Sequence, residues 1–452
     1  MKNRTKNGFF LLANIIFCYY ALAREWDNSE VALQLILSFF IHSLAFRISS
    51  NLLLKLKIPY IFLFSFFNII SLSIAPLLID FSDFQLGEFN PFILYPLNVG
   101  FVIFYLIHFL IVYKFDKPIE SNSKGINIER LQFIVFLIYS VQIFAKIEIN
   151  GINEMIQFYT IGVFIYGYVN NKNNLLQNLI LVLVILYQTI IVVTSGLIYP
   201  VVYLVTFVAL TMYIFGALNR RVILLGTIFL SLMIIFSILF SPVKMFYRAI
   251  DTSGYSLTQK VSVITDLISE QRTEKQKVEE DTKNGPLWRL TYPLSAFSLV
   301  YEKTPKQIPY WEGESYTNIF YKFIPRFLWP DKPKENMGQL FGHRYSILAD
   351  DNLTTSMNTP ILAEAYMNFG IVFVFVIFIL MALFMSYLFL KNNLKSKNKE
   401  SIESVLNDLN ICIVAVIFLQ WESNLSMMIG KIIIILVTTK LLTLFYFRKQ
   451  LI

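Results

Sequence analysis

Charge is scarce in this chain. Only 15% of its 452 residues are Asp, Glu, Lys or Arg, against roughly a quarter in soluble domains. Cysteine is scarcer: there are two, Cys18 and Cys412, each inside an apolar run. That excludes a disulfide framework and a thiolate metal site. Of three histidines, His42 and His108 lie in apolar runs and read as packed or interfacial; only His343 lies outside them. The net charge of +8 is not gathered into one patch. Basic residues are spread through short loops between apolar runs, a pattern that reports membrane orientation and gives no nucleic-acid surface.

What the chain does have is apolar length. It is 56% hydrophobic, with 43 Phe and 25 Tyr, and several runs reach the ~20 residues that a helix needs to cross the hydrocarbon core. The fold class expected is all-α, a polytopic membrane protein of about twelve spans. Residues 1–241 hold spans one to nine: Phe9–Ala23, Val31–Phe46, Tyr60–Ile79, Phe92–Tyr113, Leu131–Ala145, Glu154–Val169, Leu175–Thr194, Ile198–Leu218 and Val222–Phe240. Residues 361–452 hold Ile361–Leu390, Val405–Trp421 and Met427–Phe447. The basic start Met1–Asn7 and the end Ala21-Leu22-Ala23 also suit a cleaved signal peptide, but the many following spans favour a retained first span. Glu154–Val169 is short and interrupted by Gln157, Gly162 and Gly167. Ile361–Leu390 exceeds what a span needs, which predicts tilt or a start outside the membrane.

Loop charges alternate. Arg47/Lys55/Lys57, Lys114/Lys117/Lys124/Arg130, Lys172, Arg220/Arg221 and Lys391/Lys395/Lys397/Lys399 fall on one side; Asp80/Asp83/Glu88, Lys146/Glu148 and Glu422 fall on the other. Both termini are then cytoplasmic, and residues 242–360 form a large periplasmic or extracellular loop between spans nine and ten. Trp26, Trp288, Trp311, Trp329 and Trp421 all fall at or beyond that face. An aromatic belt accounts for Trp26 and Trp421; for Trp311 and Trp329, a belt and stacking on sugar rings both stand.

The loop carries ten Lys and five Arg against six Asp and eight Glu, so any anion site in it depends on a few placed residues. Leu257, Val261, Ile264, Leu267 and Ile268 have the spacing of an amphipathic surface helix. Leu287–Tyr301 and Asn318–Phe323 predict two further helices. Pro325, Pro330 and Pro333 then make a stiff, irregular arm that holds Arg326 and Lys332 with little entropy left to lose. Asp350-Asp351 is a solvated pair, and no metal is expected.

The run Gly313–Pro333 (GESYTNIFYKFIPRFLWPDKP), the element Phe341-Gly342-His343-Arg344-Tyr345 and the run Ala363–Gly370 (AEAYMNFG) together resemble the bacterial Wzy-type polysaccharide repeat-unit polymerases. The resemblance covers about 60 residues; elsewhere only architecture matches. It implies an inner-membrane glycosyltransferase that moves a growing chain from undecaprenyl diphosphate onto another lipid-linked repeat unit, without a cofactor. Undecaprenyl-diphosphate-linked oligosaccharide, membrane lipid and a chain-length regulator protein are the partners implied. The related O-antigen ligases share the chemistry. Members often carry Ser-Arg-Gly at a short outer turn, whereas this chain reads Thr194-Ser195-Gly196-Leu197, so nothing is carried over to that turn.

Such a reaction needs cations where the diphosphate leaves and a base for the acceptor hydroxyl. Arg248, Arg289, Arg326 and Lys332 are the diphosphate candidates, with Arg344 in reserve. Glu314 is the candidate base, with His343 and Glu364 as rivals; Glu364, among apolar neighbours, also reads as a structural partner. Trp311 and Trp329 are the sugar-stacking candidates. A lipid-linked glycan flippase is the rival from another class, but the in-span charges it needs reduce to Lys431 and Lys440.

Overall fold

The computed structural model describes residues 2–24, 29–56, 60–79, 86, 89–114, 127–144, 152–194, 199–217, 255–273, 286–322, 329, 331–332, 336–353, 355–395, 402–420 and 422–447. Every regular element among them is helical. In chain order the helices are α1 (Lys2–Arg24), α2 (Ser29–Leu56), α3 (Tyr60–Ile69), α4 (Ala75–Leu78), α5 (Leu94–Lys114), α6 (Ile128–Phe144), α7 (Ile152–Val169), α8 (Leu175–Thr194) and α9 (Tyr199–Ile214). They continue with α10 (Leu257–Thr273), α11 (Pro286–Lys303), α12 (Thr317–Lys322), α13 (Met337–Arg344), α14 (Ile361–Lys395), α15 (Ile402–Phe418) and α16 (Leu425–Phe447).

Five stretches are long and apolar enough to cross a membrane: Ser29–Ser50, Ile61–Leu78, Pro91–Lys114, Ile361–Leu388 and Leu425–Phe447. Shorter apolar helices cover Phe10–Arg24, Leu175–Ile191 and Pro200–Ile214. The chain is therefore an all-helical membrane protein. The expected span Val222–Phe240 lies outside the described residues.

Two compact units interleave along the sequence, so their limits differ from the linear boundaries at 241/242 and 360/361. The first comprises 1–119, 287–394 and 417–433, and the second 120–286, 395–416 and 434–452. In the first, α2 packs against α1, α3 and α5. His108 of α5 lies 3.0 Å from Ser386 Oγ of α14, and Phe101 meets Phe378 edge-on at 4.8 Å. Between α3 and α4 the helix widens into a π turn, Ile70–Ile74, where Ala75 N–H reaches back to Ile70 C=O. Pro76 is the reason: it has no N–H for the Leu72 carbonyl, and its ring crowds that carbonyl. Ser38 Oγ–H of α2 supplies a long replacement bond to Leu72 C=O, 3.5 Å.

In the second unit, α7 is buried at every position from 155 to 167 except Gln157. An all-round apolar helix with small residues suits that role. Gly162 gives room to Leu409, and the Tyr159 hydroxyl bonds Asn410 and Thr439. The glycines that interrupt the apolar run are thus close-packing positions. The amphipathic α10 packs against α8, with Ile264 buried and Val261 exposed.

Gly100 lies under the Phe378 ring with no space for a Cβ. Gly100→Val is expected to cost about 1–3 kcal/mol through overpacking, read as a lower melting temperature of the purified protein. Combining it with Phe378→Leu should recover much of that loss. Simple addition of the two single costs would show that the residues do not touch.

Candidate functional site

The residues singled out between Gly313 and Gly370 come together within the first unit, and the helix that organises them is broken. In α14, Phe369 (φ −140, ψ 15) and Gly370 (φ 71, ψ −164) leave helical geometry, which separates a short piece, 361–368, from the long apolar remainder. Gly370 suits the break twice over. Its φ is left-handed, and a side chain there would meet the Tyr310 hydroxyl at 2.9 Å. The long run reads out as a broken helix, a third possibility beside tilt and an early start.

The 311–316 segment is sewn to the short piece. Trp311 N–H donates to Met367 C=O, 2.9 Å. Gly313 N–H donates to Asn368 Oδ1 at 2.9 Å, and Asn368 Nδ2 donates to Ser315 Oγ at 2.8 Å and to Glu364 C=O at 2.7 Å. Gly313 is left-handed, at φ 91, so the chain turns there and enters the 3₁₀ turn Glu314–Tyr316. Tyr316 then stacks on Phe369 and meets Phe373 at a tilt.

A second strut fixes the end of α13. Lys303 Nζ donates to Tyr345 C=O, 2.9 Å, as a cation does at a helix C-terminus. The Tyr345 phenol shares a hydrogen bond with Thr304 Oγ1, 2.7 Å. Burial pushes that phenol up to about 12, opposed by the Thr304 bond and the Arg344 charge. Arg344 is thereby delivered to the 311–316 segment. Its guanidinium lies 4.5 Å over the Trp311 ring, and Nη1 is 3.2 Å from Glu314 Oε2.

Burial divides the group. Trp311 is 4% exposed, whereas the Arg344 and Glu314 side chains are 33% and 60% exposed. The cation rests on a buried ring and faces solvent with a loosely held carboxylate. Trp311 was a candidate stacking platform for sugar; here Arg344 lies over one face of its ring.

Glu364 is fully buried in the first turn of α14, and its Oε2 accepts Leu425 N–H, 2.7 Å, at the start of α16. Asn424 Oδ1 accepts Met427 N–H at that same helix end, 2.8 Å. Burial and the Glu364 charge both push the Tyr316 phenol upward. His343, beside Arg344, is half-buried, and its Nε2 is buried without a hydrogen-bond partner, as is Trp311 Nε1.

Of the diphosphate candidates, Arg248 and Arg326 lie outside the described residues, as does the Arg289 side chain, although its backbone belongs to α11. Lys332 is half-buried, and its N–H bonds Trp329 C=O at 3.1 Å; Trp329 is half-buried too. Asp350 and Asp351 are exposed. Among the described residues no three His, Cys, Asp or Glu cluster as metal ligands. The sequence reading missed Asn368 and the hinge after it. Asn and Gly flanking Phe369 inside an apolar run were the available signal.

These features define a class: a helical membrane protein with a cation–aromatic–carboxylate cluster on a segment laid against a broken helix. The chain belongs to the DUF8712 family, a domain of unknown function whose family model matches residues 102–394. That match runs from α5 into α14 and includes the whole cluster. No curated protein and no solved structure matches the chain.

Asn368→Ala is expected to cost about 2–3 kcal/mol, since it removes three hydrogen bonds, two of them buried, and strands Gly313 N–H. The exposed Glu314–Arg344 pair is expected to couple by only about 0.2–1 kcal/mol in a double-mutant cycle, less in high salt. Thermal unfolding of the purified variants measures both. A coupling that outweighs the Asn368 loss would reverse this ranking.

Proposed function

We propose that this protein is a membrane glycosyltransferase that polymerises undecaprenyl-diphosphate-linked oligosaccharide repeat units into O-antigen or capsular polysaccharide. In this reading the chain makes about twelve spans, counting runs of ~20 apolar residues. Both termini face the cytoplasm of the bacterial inner membrane, and the 242–360 loop meets its substrates at the periplasmic leaflet. A chain-length regulator is the protein partner. The observation that carries the reading is the Arg344–Trp311–Glu314 cluster, 4.5 Å and 3.2 Å between its members. It is built from the segment whose sequence resembles the Wzy-type polymerases.

The chemistry asks for a departing diphosphate and a deprotonated acceptor. The acceptor hydroxyl oxygen attacks the anomeric carbon of the donor chain. The bond from that carbon to the diphosphate oxygen breaks, and its electron pair leaves with undecaprenyl diphosphate. The hydroxyl proton passes to a carboxylate. Glu314 suits that task because it is the exposed acid of the cluster, reachable by a sugar hydroxyl. Arg326 and Lys332, on the proline-rich arm, meet the developing charge on the diphosphate. Arg344 keeps Glu314 oriented.

The test uses the purified full-length protein with a defined undecaprenyl-diphosphate oligosaccharide. Lengthening of the glycan by whole repeat units is expected. Glu314→Gln is expected to slow it by about 10²–10⁴-fold with little change in melting temperature, and Arg326→Ala to abolish long chains. Transfer to a lipid A-core acceptor, without lengthening, would assign a ligase. No transfer to either acceptor would remove the glycosyltransferase reading.

A further inference from the structure

Beside the Arg344–Trp311–Glu314 cluster, in the same unit, three tyrosines gather that have no part in the proposed reaction. Tyr301 lies in the last turn of α11, one turn after Phe297 on the same helix face. Tyr310 precedes Trp311, whose N–H bond to Met367 brings it alongside Tyr366 of the short piece 361–368. The ring centroids of Tyr301 and Tyr366 are 5.2 Å apart, and those of Tyr310 and Tyr366 6.5 Å. Phe297 closes the floor, 5.7 Å from Tyr366 edge-on and 6.4 Å from Tyr301. The Tyr366 hydroxyl is hydrogen-bonded to Tyr310 and has those of Tyr301 and Tyr345 close by. Phe297 and Tyr366 are buried, while Tyr301 and Tyr310 are half-exposed.

Tyrosines near a membrane commonly form a belt against lipid. The surroundings here are wrong for one. Glu302, Pro305, Lys306, Gln307 and Glu312, which flank the rings in sequence, are all exposed, and charged and amide side chains so close together belong in water. The rings therefore make an aromatic surface with a polar rim, which marks a binding site. Its chemistry narrows the ligand. The flat rings take the C–H face of a saturated ring, and phenol hydroxyls both donate and accept. Tyrosine supplies both with few rotatable bonds to freeze. An alkyl chain would leave the hydroxyls unused. An anion would lack a free cation among the rings, since Lys303 turns its Nζ to the Tyr345 carbonyl.

We infer that Tyr301, Tyr310 and Tyr366 form a subsite for an uncharged sugar residue, with Tyr301 and Tyr310 as stacking platforms and the phenol hydroxyls as hydrogen-bonding partners. Tyr310 adjoins Trp311 in sequence and Tyr345 adjoins Arg344, so the subsite borders the cluster that carries the proposed base. Stacking thus passes from Trp311, whose ring carries Arg344, to the tyrosines. The choice of a glycan as ligand rests on the glycosyltransferase reading.

The test probes the full-length protein in lipid nanodiscs, free of sugar detergents, with a panel of phosphate-free bacterial oligosaccharides, neutral and acidic. A neutral oligosaccharide is expected to bind. Tyr301→Ala and Tyr310→Ala are each expected to weaken it about 3–10-fold, and Tyr366→Phe, which keeps the ring, by less. Melting temperatures should change little; should an alanine variant not fold, the leucine variant at the same position replaces it. Binding of no member of the panel, preference for acidic sugars, or unaltered affinity in the tyrosine variants would overturn the subsite. Glycan lengthening is measured in parallel. Tyrosine-dependent binding without any transfer would keep the subsite and remove the polymerase reading, whereas lengthening that the tyrosine variants leave at full rate would do the reverse.

Discussion

Backbone groups released by an irregular helix cannot turn to water within a bilayer, so the protein must satisfy them itself. Two irregularities in the first unit show how this chain does so. At Pro76 the Leu72 carbonyl loses its helical donor, and Ser38 reaches across from α2. At Phe369–Gly370 the helix stops, and Asn368 spends both ends of its amide on the neighbouring segment and on its own turn. In each case one short polar side chain allows a break that composition alone would forbid.

The break in α14 decides where the cluster forms. Because the short piece 361–368 binds the 311–316 segment, Trp311 is buried and its ring is immobilised. Because Lys303 and Thr304 hold Tyr345, the end of α13 is fixed and Arg344 is delivered onto that ring. Guanidinium on an aromatic face is favourable even when partly exposed, while the pair with Glu314 contributes little by itself. The ring therefore positions the cation, and the carboxylate follows the cation. Such an order leaves Glu314 free to exchange partners without dismantling the site.

Helix positions were legible because apolar runs of span length leave few other readings: α5, α7, α8 and α16 lie close to their expected limits. The sequence also marked Trp311, Glu314, Arg344 and Glu364 as residues of interest, since charge and Trp stand out against so apolar a background. Their arrangement was not legible. Nothing in spacing says that Arg344 covers Trp311, because that contact depends on a turn at Gly313 and a strut from Lys303. The π turn was hidden for a related reason. Pro76 in an apolar run reads as a kink or a helix end that frees the Leu72 carbonyl, and only tertiary packing shows that Ser38 takes it up. Glycines of α7 looked like weaknesses of a span and proved to be points of close approach.

Glu364 and Glu314 show why a carboxylate's neighbourhood outweighs its mere presence. A membrane-embedded acid is by default suspected of function. Glu364, however, lies in the first turn of α14 and caps the first residue of α16, so two helix N-termini present partial positive charge to it. That is a stable seat for a structural anion. A general base needs the reverse: access for the acceptor and freedom to carry a proton away. Glu314 has that access, and among the described residues its carboxylate meets a cation that already rests on something else. If one acid of this cluster performs proton transfer, the physical division of labour favours the exposed one, with the buried one holding the two helices that frame it.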